Sequence, residues 1–110
     1  MYLGDFLYMV LKMDKAGTRE WYLKGKRHRD NGPAVECIEG TKEWYIEGLK
    51  HRLDGSAAEF SDGSRFWYIE GKYHRLDGPA VEYSNGDRYW YIEGKEYTEY
   101  EFNLYIKTIK

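Results

Sequence analysis

The sequence predicts a mostly β protein, in which antiparallel β-hairpin repeats form a meander or solenoid-like single sheet with a C-terminal capping α-helix. The first observation behind this prediction is tryptophan, which recurs every 23 residues at Trp21, Trp44, Trp67 and Trp90. The second is glycine, which follows the same period in three registers. The third is an amphipathic pattern after residue 98. A fixed period of this length is typical of a repeat array.

Each repeat contains a predicted β-hairpin, because a turn dipeptide separates two runs of aromatic and β-branched residues. These dipeptides are Asn85-Gly86, Asp62-Gly63 and the weaker Glu39-Gly40. Asn-Gly and Asp-Gly favour a two-residue type I′ turn, whose positive φ angles suit glycine. A second tight turn is predicted at Glu70-Gly71-Lys72, with residues 72–75 pairing back as a short third strand.

A two-residue turn at Asn85-Gly86 would place Val81 opposite Trp90, and this register sorts the side chains onto two faces. The more apolar face, predicted to be the core, carries Val81, Tyr83, Arg88, Trp90 and Ile92. This face predicts a buried stack of the four tryptophans. The other face carries a tyrosine ladder, consisting of Tyr22, Tyr45, Tyr68 and Tyr91 and edged by Glu36, Glu59 and Glu82.

The 110 residues are predicted to form one domain whose two ends differ from its middle. Residues 1–16 are an N-terminal capping strand, in which residues 6–13 pair with residues 18–24. Residues 17–97 hold the 23-residue repeats, and residues 98–110 are the capping helix. Thr98 and Glu101 make a capping box that begins a helix over residues 99–109. Its apolar residues recur at helical spacing, at Phe102, Tyr105, Ile106 and Ile109.

The composition argues against several classes of function. A formal net charge of −2 does not favour binding to nucleic acid or membrane surfaces through bulk positive charge. No apolar run approaches the roughly 20 residues that span a bilayer, and the N-terminus lacks a signal-peptide pattern. The single cysteine, Cys37, is expected to be a small buried side chain. We therefore expect a cytoplasmic protein with no membrane contact.

The sequence shows no recognisable constellation of catalytic residues, so we predict neither an enzyme nor a cofactor. His28, His51 and His74 lie one repeat apart, which corresponds to about 10 Å across a sheet. Zinc ligands bind at about 2 Å from the ion, so these histidines cannot share one ion. No metal site is predicted.

The repeat unit reads Trp-Tyr-Ile-Glu-Gly-Lys-x-His-Arg-x-Asp-Gly-Pro-Ala-x-Glu-Tyr. Over about residues 17–97, this pattern resembles a variant of the MORN-type repeat, in the divergent branch common in small bacterial, bacteriophage and giant-virus proteins. After the histidine the common pattern has Gly-x-Gly, whereas this chain has residues 52–55 and 75–78, Arg-Leu-Asp-Gly. The resemblance implies scaffolding, protein contacts or membrane-lipid binding, without catalysis. By analogy it implies a small phage-encoded inhibitor of a host defence protein.

Two sets of residues are candidates for binding a partner protein. The first is the tyrosine ladder, because tyrosine offers a large and rigid contact area with a polar tip. The second is a polar edge formed by His51, Arg52, Asp54, His74, Arg75 and Asp77, and preceded by His28 and Arg29. The alternative for the ladder is cross-strand packing alone. The alternative for the edge is loop architecture, in which aspartate accepts backbone N–H groups, glycine supplies positive φ and arginine pairs with a carboxylate.

The leading prediction is a non-enzymatic repeat module that binds another protein. One alternative is single-stranded nucleic-acid binding, because residues 65–68 and 88–91 place a basic residue beside aromatic residues. The negative net charge and the glutamates expected on the ladder face argue against it. The other alternative is self-assembly, in which the N-terminal edge strand pairs with a second copy to form a homodimer.

Overall fold

The computed structural model describes residues 9–109, and this part of the chain is mostly β with a single helix at its C-terminal end. Most of its fourteen strands have only two residues. The strands are β1 (Met9–Met13), β2 (Arg19–Leu23), β3 (Lys26–Arg27), β4 (Val35–Glu36), β5 (Lys42–Glu43), β6 (Tyr45–Ile46), β7 (Leu49–Lys50), β8 (Ala58–Glu59), β9 (Arg65–Phe66), β10 (Tyr68–Ile69), β11 (Lys72–Tyr73), β12 (Val81–Glu82), β13 (Arg88–Ile92) and β14 (Lys95–Tyr97). The helix is α1 (Glu99–Ile109).

The strands form an antiparallel meander, which confirms the predicted fold class. Ten of the described strands form one sheet, in the order β1-β2-β4-β5-β8-β9-β12-β13-β14, with β3 paired to β2 at the side. The hairpins β6–β7 and β10–β11 are two-stranded units beside this sheet. The predicted third strand of the repeat is present as β3, β7, β11 and β14.

In the middle repeats, the tryptophan connects a strand of the main sheet to the hairpin beside it. Trp44 stands between β5 and β6, and its N–H donates to the Ala57 carbonyl of the main sheet at 2.7 Å. Its carbonyl accepts from the His51 N–H, which follows the hairpin β6–β7, at 3.1 Å. The hairpin is also bonded to the preceding repeat, because the Arg29 N–H donates to the Tyr45 carbonyl at 3.1 Å. The hairpins therefore form a second row of pairing beside the main sheet.

The loop at Asn85-Gly86 differs from the prediction. The Tyr83 N–H donates to the Asp87 carbonyl, and the Gly86 N–H donates to the Tyr83 carbonyl, each at 2.9 Å. The loop therefore has three residues, and only its last, Gly86, is left-handed, with φ 97°. The predicted two-residue type I′ turn is wrong here because that turn needs positive φ at two successive residues. Such turns occur instead between the second and third strands, at Lys24-Gly25, Glu47-Gly48, Glu70-Gly71 and Glu93-Gly94.

The extra loop residue shifts the register by one and exchanges side chains between the two faces. Val81 lies opposite Tyr89, and Glu82 lies opposite Arg88. Because side chains alternate along a strand, Val81 shares the face of the tyrosines, whereas Glu82 shares the face of Trp90. The predicted core face is therefore wrong. The glutamates expected beside the tyrosines lie on the tryptophan side, and these are Glu36, Glu59 and Glu82.

Alanine and valine make up most of the buried core, and the tryptophans are not part of it. The buried apolar residues are Ala34, Val35, Ala57, Ala58, Ala80, Val81, Ile92 and Phe102. The four tryptophans are only half-buried, so the predicted buried stack is wrong. The reason is the shape of the molecule, a slab of 50 × 35 × 17 Å, in which a single sheet offers each indole ring one layer of neighbours. Cys37 is half-buried as well.

The described residues have a strand at one end and a helix at the other, and residues 1–8 of the predicted N-terminal cap lie outside them. Strand β1 pairs with β2 along its whole length, while residues 6–8 and Lys110 lie outside the described residues. At the other end, the Glu101 N–H donates to Oγ1 of Thr98 at 3.1 Å, and the Thr98 N–H donates to Oε1 of Glu101 at 2.8 Å. This capping box begins α1, which packs on β13 and β14 and buries Phe102.

Candidate functional site

A loop with the sequence His-Arg-x-x-Gly follows the third strand of each of the first three repeats. We call these the His-Arg loops, and they comprise residues 28–32, 51–55 and 74–78. In each loop, Nδ1 of the histidine accepts a backbone N–H of the next repeat. The pairs are His28 with Glu47 at 2.9 Å, His51 with Glu70 at 3.0 Å, and His74 with Glu93 at 2.9 Å. Each of these bonds runs from one repeat to the next, so the histidines join consecutive repeats.

The arginine of each His-Arg loop packs against a tryptophan ring. Cζ of Arg52 lies 3.9 Å from the centre of the Trp44 ring. Its Nη1 donates to the Ser56 carbonyl at 3.1 Å and to Glu59 at 3.2 Å, and its Nε donates to Asp54 at 3.0 Å. The corresponding distance is 3.8 Å both for Arg29 over Trp21 and for Arg75 over Trp67. The predicted pairing of the arginine with a carboxylate is confirmed.

The glycine and the aspartate of these loops differ from the loop-architecture interpretation. Gly55 is not in the left-handed region, and a Cβ at this position would lie 3.1 Å from Cζ of Arg52. The corresponding distance is 3.1 Å at Gly32 and 2.9 Å at Gly78. The glycine therefore makes room for the guanidinium and is not required for positive φ. Asp54 accepts from the Arg52 side chain, where a backbone donor was expected.

Two open grooves lie between consecutive His-Arg loops, and we call them the loop grooves. The first has a volume of about 550 Å³ and is lined by Trp44 and Ile46. The second has a volume of about 710 Å³ and is lined by Trp67 and Ile69. The structure places the whole predicted edge along them, namely His51, Arg52, Asp54, His74, Arg75 and Asp77.

Two leucines of the His-Arg loops are exposed beside these grooves. The exposed fraction is 82% for Leu53 and 44% for Leu76. Leu53 lines both grooves, and Leu76 lines the second. They are absent from the predicted edge because this position of the repeat is variable, with Asp30 in the first loop and leucine in the other two. The signal that could have found them is the recurrence of one apolar residue, directly after Arg52 and Arg75, in an otherwise polar loop.

The rim of the loop grooves is acidic. The side chains of Asp54 and Asp77 are 87% and 86% exposed. In the second loop, Arg52 faces two carboxylates, those of Asp54 and Glu59, and the third loop repeats this arrangement. Within each loop one arginine balances one aspartate, and the second carboxylate, Glu59 or Glu82, belongs to a strand that follows the loop. Because the arginine side chains are only 24% and 20% exposed, the charge that faces solvent at the rim is that of the aspartates.

The four predicted tyrosines lie in one row, but the row is not an open ladder. Side chains of the third strands stand between them, so that Cζ of Arg27 is 5.3 Å from the centre of the Tyr45 ring. Likewise, Nζ of Lys50 is 5.2 Å from the centre of the Tyr68 ring. We call this packed row the tyrosine column, and it contains Tyr22, Arg27, Tyr45, Lys50, Tyr68, Tyr73 and Tyr91.

Packing between neighbouring side chains partly buries the tyrosine column. The ring of Tyr73 lies 4.6 Å from that of Tyr68 and 4.9 Å from that of Tyr91, measured between centres. Burial raises the pKa of the Tyr45 and Tyr68 hydroxyls above the value of a free tyrosine. Cross-strand packing thus accounts for the column, and a binding role for its tyrosines stays a prediction.

More exposed aromatic residues lie at the end of the same face. Tyr83 and Tyr89 are exposed, with ring centres 6.0 Å apart, and Phe66 lies 5.4 Å from Tyr83. Tyr83 was predicted in the core because the predicted register differs from the observed one by one residue. The corrected register explains why this ring is accessible.

Neither the described residues nor comparison with known proteins identifies a ligand or a related protein. Within residues 9–109, no group of three or more His, Cys, Asp or Glu side chains is placed to hold a metal ion. In the same part of the chain, no helix is both long and apolar enough to cross a membrane. Comparison with protein-family models, with curated proteins and with solved structures gave no match. The loop grooves and the tyrosine column are therefore the two surfaces that bear on function.

Proposed function

We propose that this chain is a non-enzymatic protein-binding module and that the loop grooves hold its partner. The observation that carries the proposal is the exposure of Leu53 and Leu76 beside the grooves. The histidine, arginine and glycine of each loop take part in the fold, whereas these leucines have their side chains in solvent. Burial of one leucine side chain against a partner is worth about 1.5 to 3 kcal/mol.

The surroundings of the two leucines suit a protein partner. Each groove has an aromatic and aliphatic lining, supplied by a tryptophan and an isoleucine, with an exposed aspartate at its rim. Protein interfaces combine such an apolar centre with a polar rim. Two equivalent grooves on one rigid array reinforce each other when a single partner fills both. The MORN-type resemblance, which implies protein contacts, supports the same proposal.

The tyrosine column is a second candidate surface for this function. The hydroxyls of Tyr22 and Tyr45 donate to the carboxylates of Glu20 and Glu43, at 2.7 and 2.9 Å. The same carboxylates pair with Arg27 and Lys50 of the column, at 3.1 and 3.8 Å. These two cations are therefore already engaged and are not available to a phosphate, which favours a protein partner over a nucleic acid. The identity of the partner as a host defence protein, and the homodimer through β1, stay predictions.

Affinity purification with a double variant, Leu53→Ser with Leu76→Ser, tests the proposal. The matched control is Ile38→Ser, because Ile38 is also an exposed aliphatic residue, 78% exposed, but lies outside the grooves. We expect a protein from the source organism to be retained by the wild type and the control and lost from the double variant. Unchanged circular dichroism shows that the double variant is folded.

Two other outcomes contradict the proposal. If the double variant retains the partner, the site lies elsewhere, and a Tyr45→Phe, Tyr68→Phe, Tyr91→Phe variant then tests the tyrosine column. These phenylalanines keep the ring packing and remove only the hydroxyls. If the wild type retains no protein, the chain is not a protein-binding module.

A further inference from the structure

We infer that the loop grooves accept an extended peptide in the polyproline II conformation, with an apolar residue at every third position and basic residues along the neighbouring edge. The inference rests on the proposed function and names the chemistry of the partner. Three properties of the grooves carry it: their spacing, their lining and the charge of their rim.

The spacing of the grooves follows from the sheet. Strands β5 and β9, which precede Trp44 and Trp67, are separated by one strand, β8. Neighbouring strands are about 4.8 Å apart, so equivalent points of the two grooves are about 9.6 Å apart. A polyproline II chain rises about 3.1 Å per residue with three residues per turn, so every third side chain recurs at about 9.3 Å. Such a chain, lying across the strands, presents equivalent side chains to successive grooves.

Other regular peptide conformations fit this spacing less well. In a β-strand, the side chains on one face recur at about 6.8 Å. This distance is neither the spacing of the two grooves, about 9.6 Å, nor a simple fraction of it. An α-helix repeats a side chain after seven residues at about 10.5 Å, and it needs room for a cylinder about 10 Å wide. The polyproline II period is the nearest to the repeat of the array.

The lining of the grooves suits such a chain. Polyproline II segments dock in grooves with aromatic walls, since their preformed conformation loses little entropy on binding. Trp44 and Trp67 supply the aromatic walls, and each ring is held by an arginine stacked on it, at 3.9 and 3.8 Å. Because these rings are already held in place, binding costs little further side-chain entropy.

The exposed aspartates at the rim recur with the same spacing as the grooves, so they are complementary to basic side chains at every third position of the peptide. Asp54 and Asp77 are equivalent residues of consecutive loops, and both are exposed. In a chain with three residues per turn, the edge beside the apolar one also presents a side chain at every third position. Lysine or arginine on that edge meets one aspartate per repeat. This electrostatic contribution is screened by salt.

Fluorescence anisotropy with synthetic peptides tests the inference. The probe is a labelled peptide of four Leu-Pro-Lys units, which has the threefold spacing. Its control has the same composition, with the leucines shuffled out of that spacing. A third peptide is a proline-free helix former with leucine repeated every seven residues and the same number of lysines. We expect the probe to bind the wild type at least tenfold more tightly than either of the other two.

Substitutions in the grooves should change the affinity for the probe to different extents. We expect Leu53→Ser with Leu76→Ser to weaken binding at least tenfold, and Ile38→Ser to leave it unchanged. Asp54→Asn with Asp77→Asn should weaken binding several-fold and reduce its dependence on salt. An asparagine oxygen still accepts from the arginine Nε, so this variant removes the charge and preserves the loop.

The results separate this inference from the proposed function. Equal affinity for the probe and its shuffled control, or tighter binding of the helical peptide, overturns the inference. If no peptide binds and affinity purification still retains a protein that depends on Leu53 and Leu76, the proposed function stands and the inference is wrong. If no protein depends on these leucines either, both are wrong.

Discussion

Glycine has two roles within one repeat, and they differ in the physical reason that excludes a side chain. Gly63 and Gly71 have φ angles of 96° and 81°, a region that costs other residues about 1 to 2 kcal/mol. Gly55 has an ordinary φ, but its Cα lies under the guanidinium of Arg52. A side chain at Gly55 therefore displaces the arginine from Trp44, whereas one at Gly63 strains only the backbone.

At this scale we predict that Gly55→Ala lowers the free energy of unfolding by about 1 to 3 kcal/mol, because the new methyl group meets the guanidinium. In an Arg52→Ala background the same change should cost little, since the clash is gone. Urea denaturation of the four proteins measures this coupling. Gly63→Ala is the control, because a Cβ there meets nothing within 4 Å and its cost should not depend on Arg52. An equal cost of Gly55→Ala in both backgrounds contradicts the role assigned to Gly55.

At the scale of elements, the hairpin β6–β7 connects its repeat to the one before. The Gly48 N–H donates to the Arg27 carbonyl at 2.8 Å, and the Glu47 N–H donates to Nδ1 of His28 at 2.9 Å. Glu47 has a φ of 48° because it is the first central residue of a type I′ turn, and its N–H reaches the histidine from this left-handed conformation. The histidine link therefore joins the strained turn of one repeat to the loop of its neighbour.

We predict that His28→Leu lowers the free energy of unfolding by about 1 to 3 kcal/mol, because the Glu47 N–H loses its acceptor while His28 is buried. His28→Asn should cost less, since its Oδ1 takes the place of Nδ1. Hydrogen exchange of the Glu47 amide distinguishes the two variants, and we expect it to be faster in the leucine variant. Wild-type exchange of this amide in both variants would show that another interaction protects it.

At the scale of the whole molecule, the chain is thin and extended. Its radius of gyration is 16.2 Å, compared with about 13 Å for a compact chain of this length. The buried side chains are mostly alanine and valine, so the larger aromatic residues stabilise the two faces from half-buried positions. The tyrosine column is one of these faces. Its hydroxyls make stability depend on pH.

We predict that the protein loses stability above pH 10. Burial raises the pKa of Tyr45 and Tyr68 above the value of about 10 for an unfolded tyrosine. The folded state therefore keeps these protons longer than the unfolded state does. This stabilisation is fully present below about pH 10 and is lost as the pH rises through the folded-state pKa values.

Melting temperatures measured between pH 9 and pH 12 test this prediction. The decline should be less steep for Tyr68→Phe, which keeps the ring and cannot ionise. Tyr100→Phe should follow the wild type, because Tyr100 is exposed on α1. A Tyr68→Phe curve that runs parallel to the wild-type curve would mean that Tyr68 does not couple ionisation to unfolding.

Interactions between neighbours in sequence were the predictable part of the site and of the fold. The capping box of Thr98 and Glu101, and the arginine–carboxylate pair of Arg52 and Asp54, join residues two or three positions apart. The packed state of the tyrosine column was not predictable in this way. Arg27 belongs to one repeat and Tyr45 to the next, and only the pairing of the hairpins brings them together.

The sequence by itself determined the repeat, the antiparallel array, the N-terminal strand and the C-terminal helix, because period and local turn chemistry specify them. Only the tertiary structure decided the faces. Asn85-Gly86 is compatible with a two-residue or a three-residue loop, and the pairing of whole strands selects the second. Since side chains alternate along a strand, the one additional loop residue decides which face of the sheet carries Glu82. The loop grooves likewise exist only where loops 23 residues apart in the sequence lie side by side.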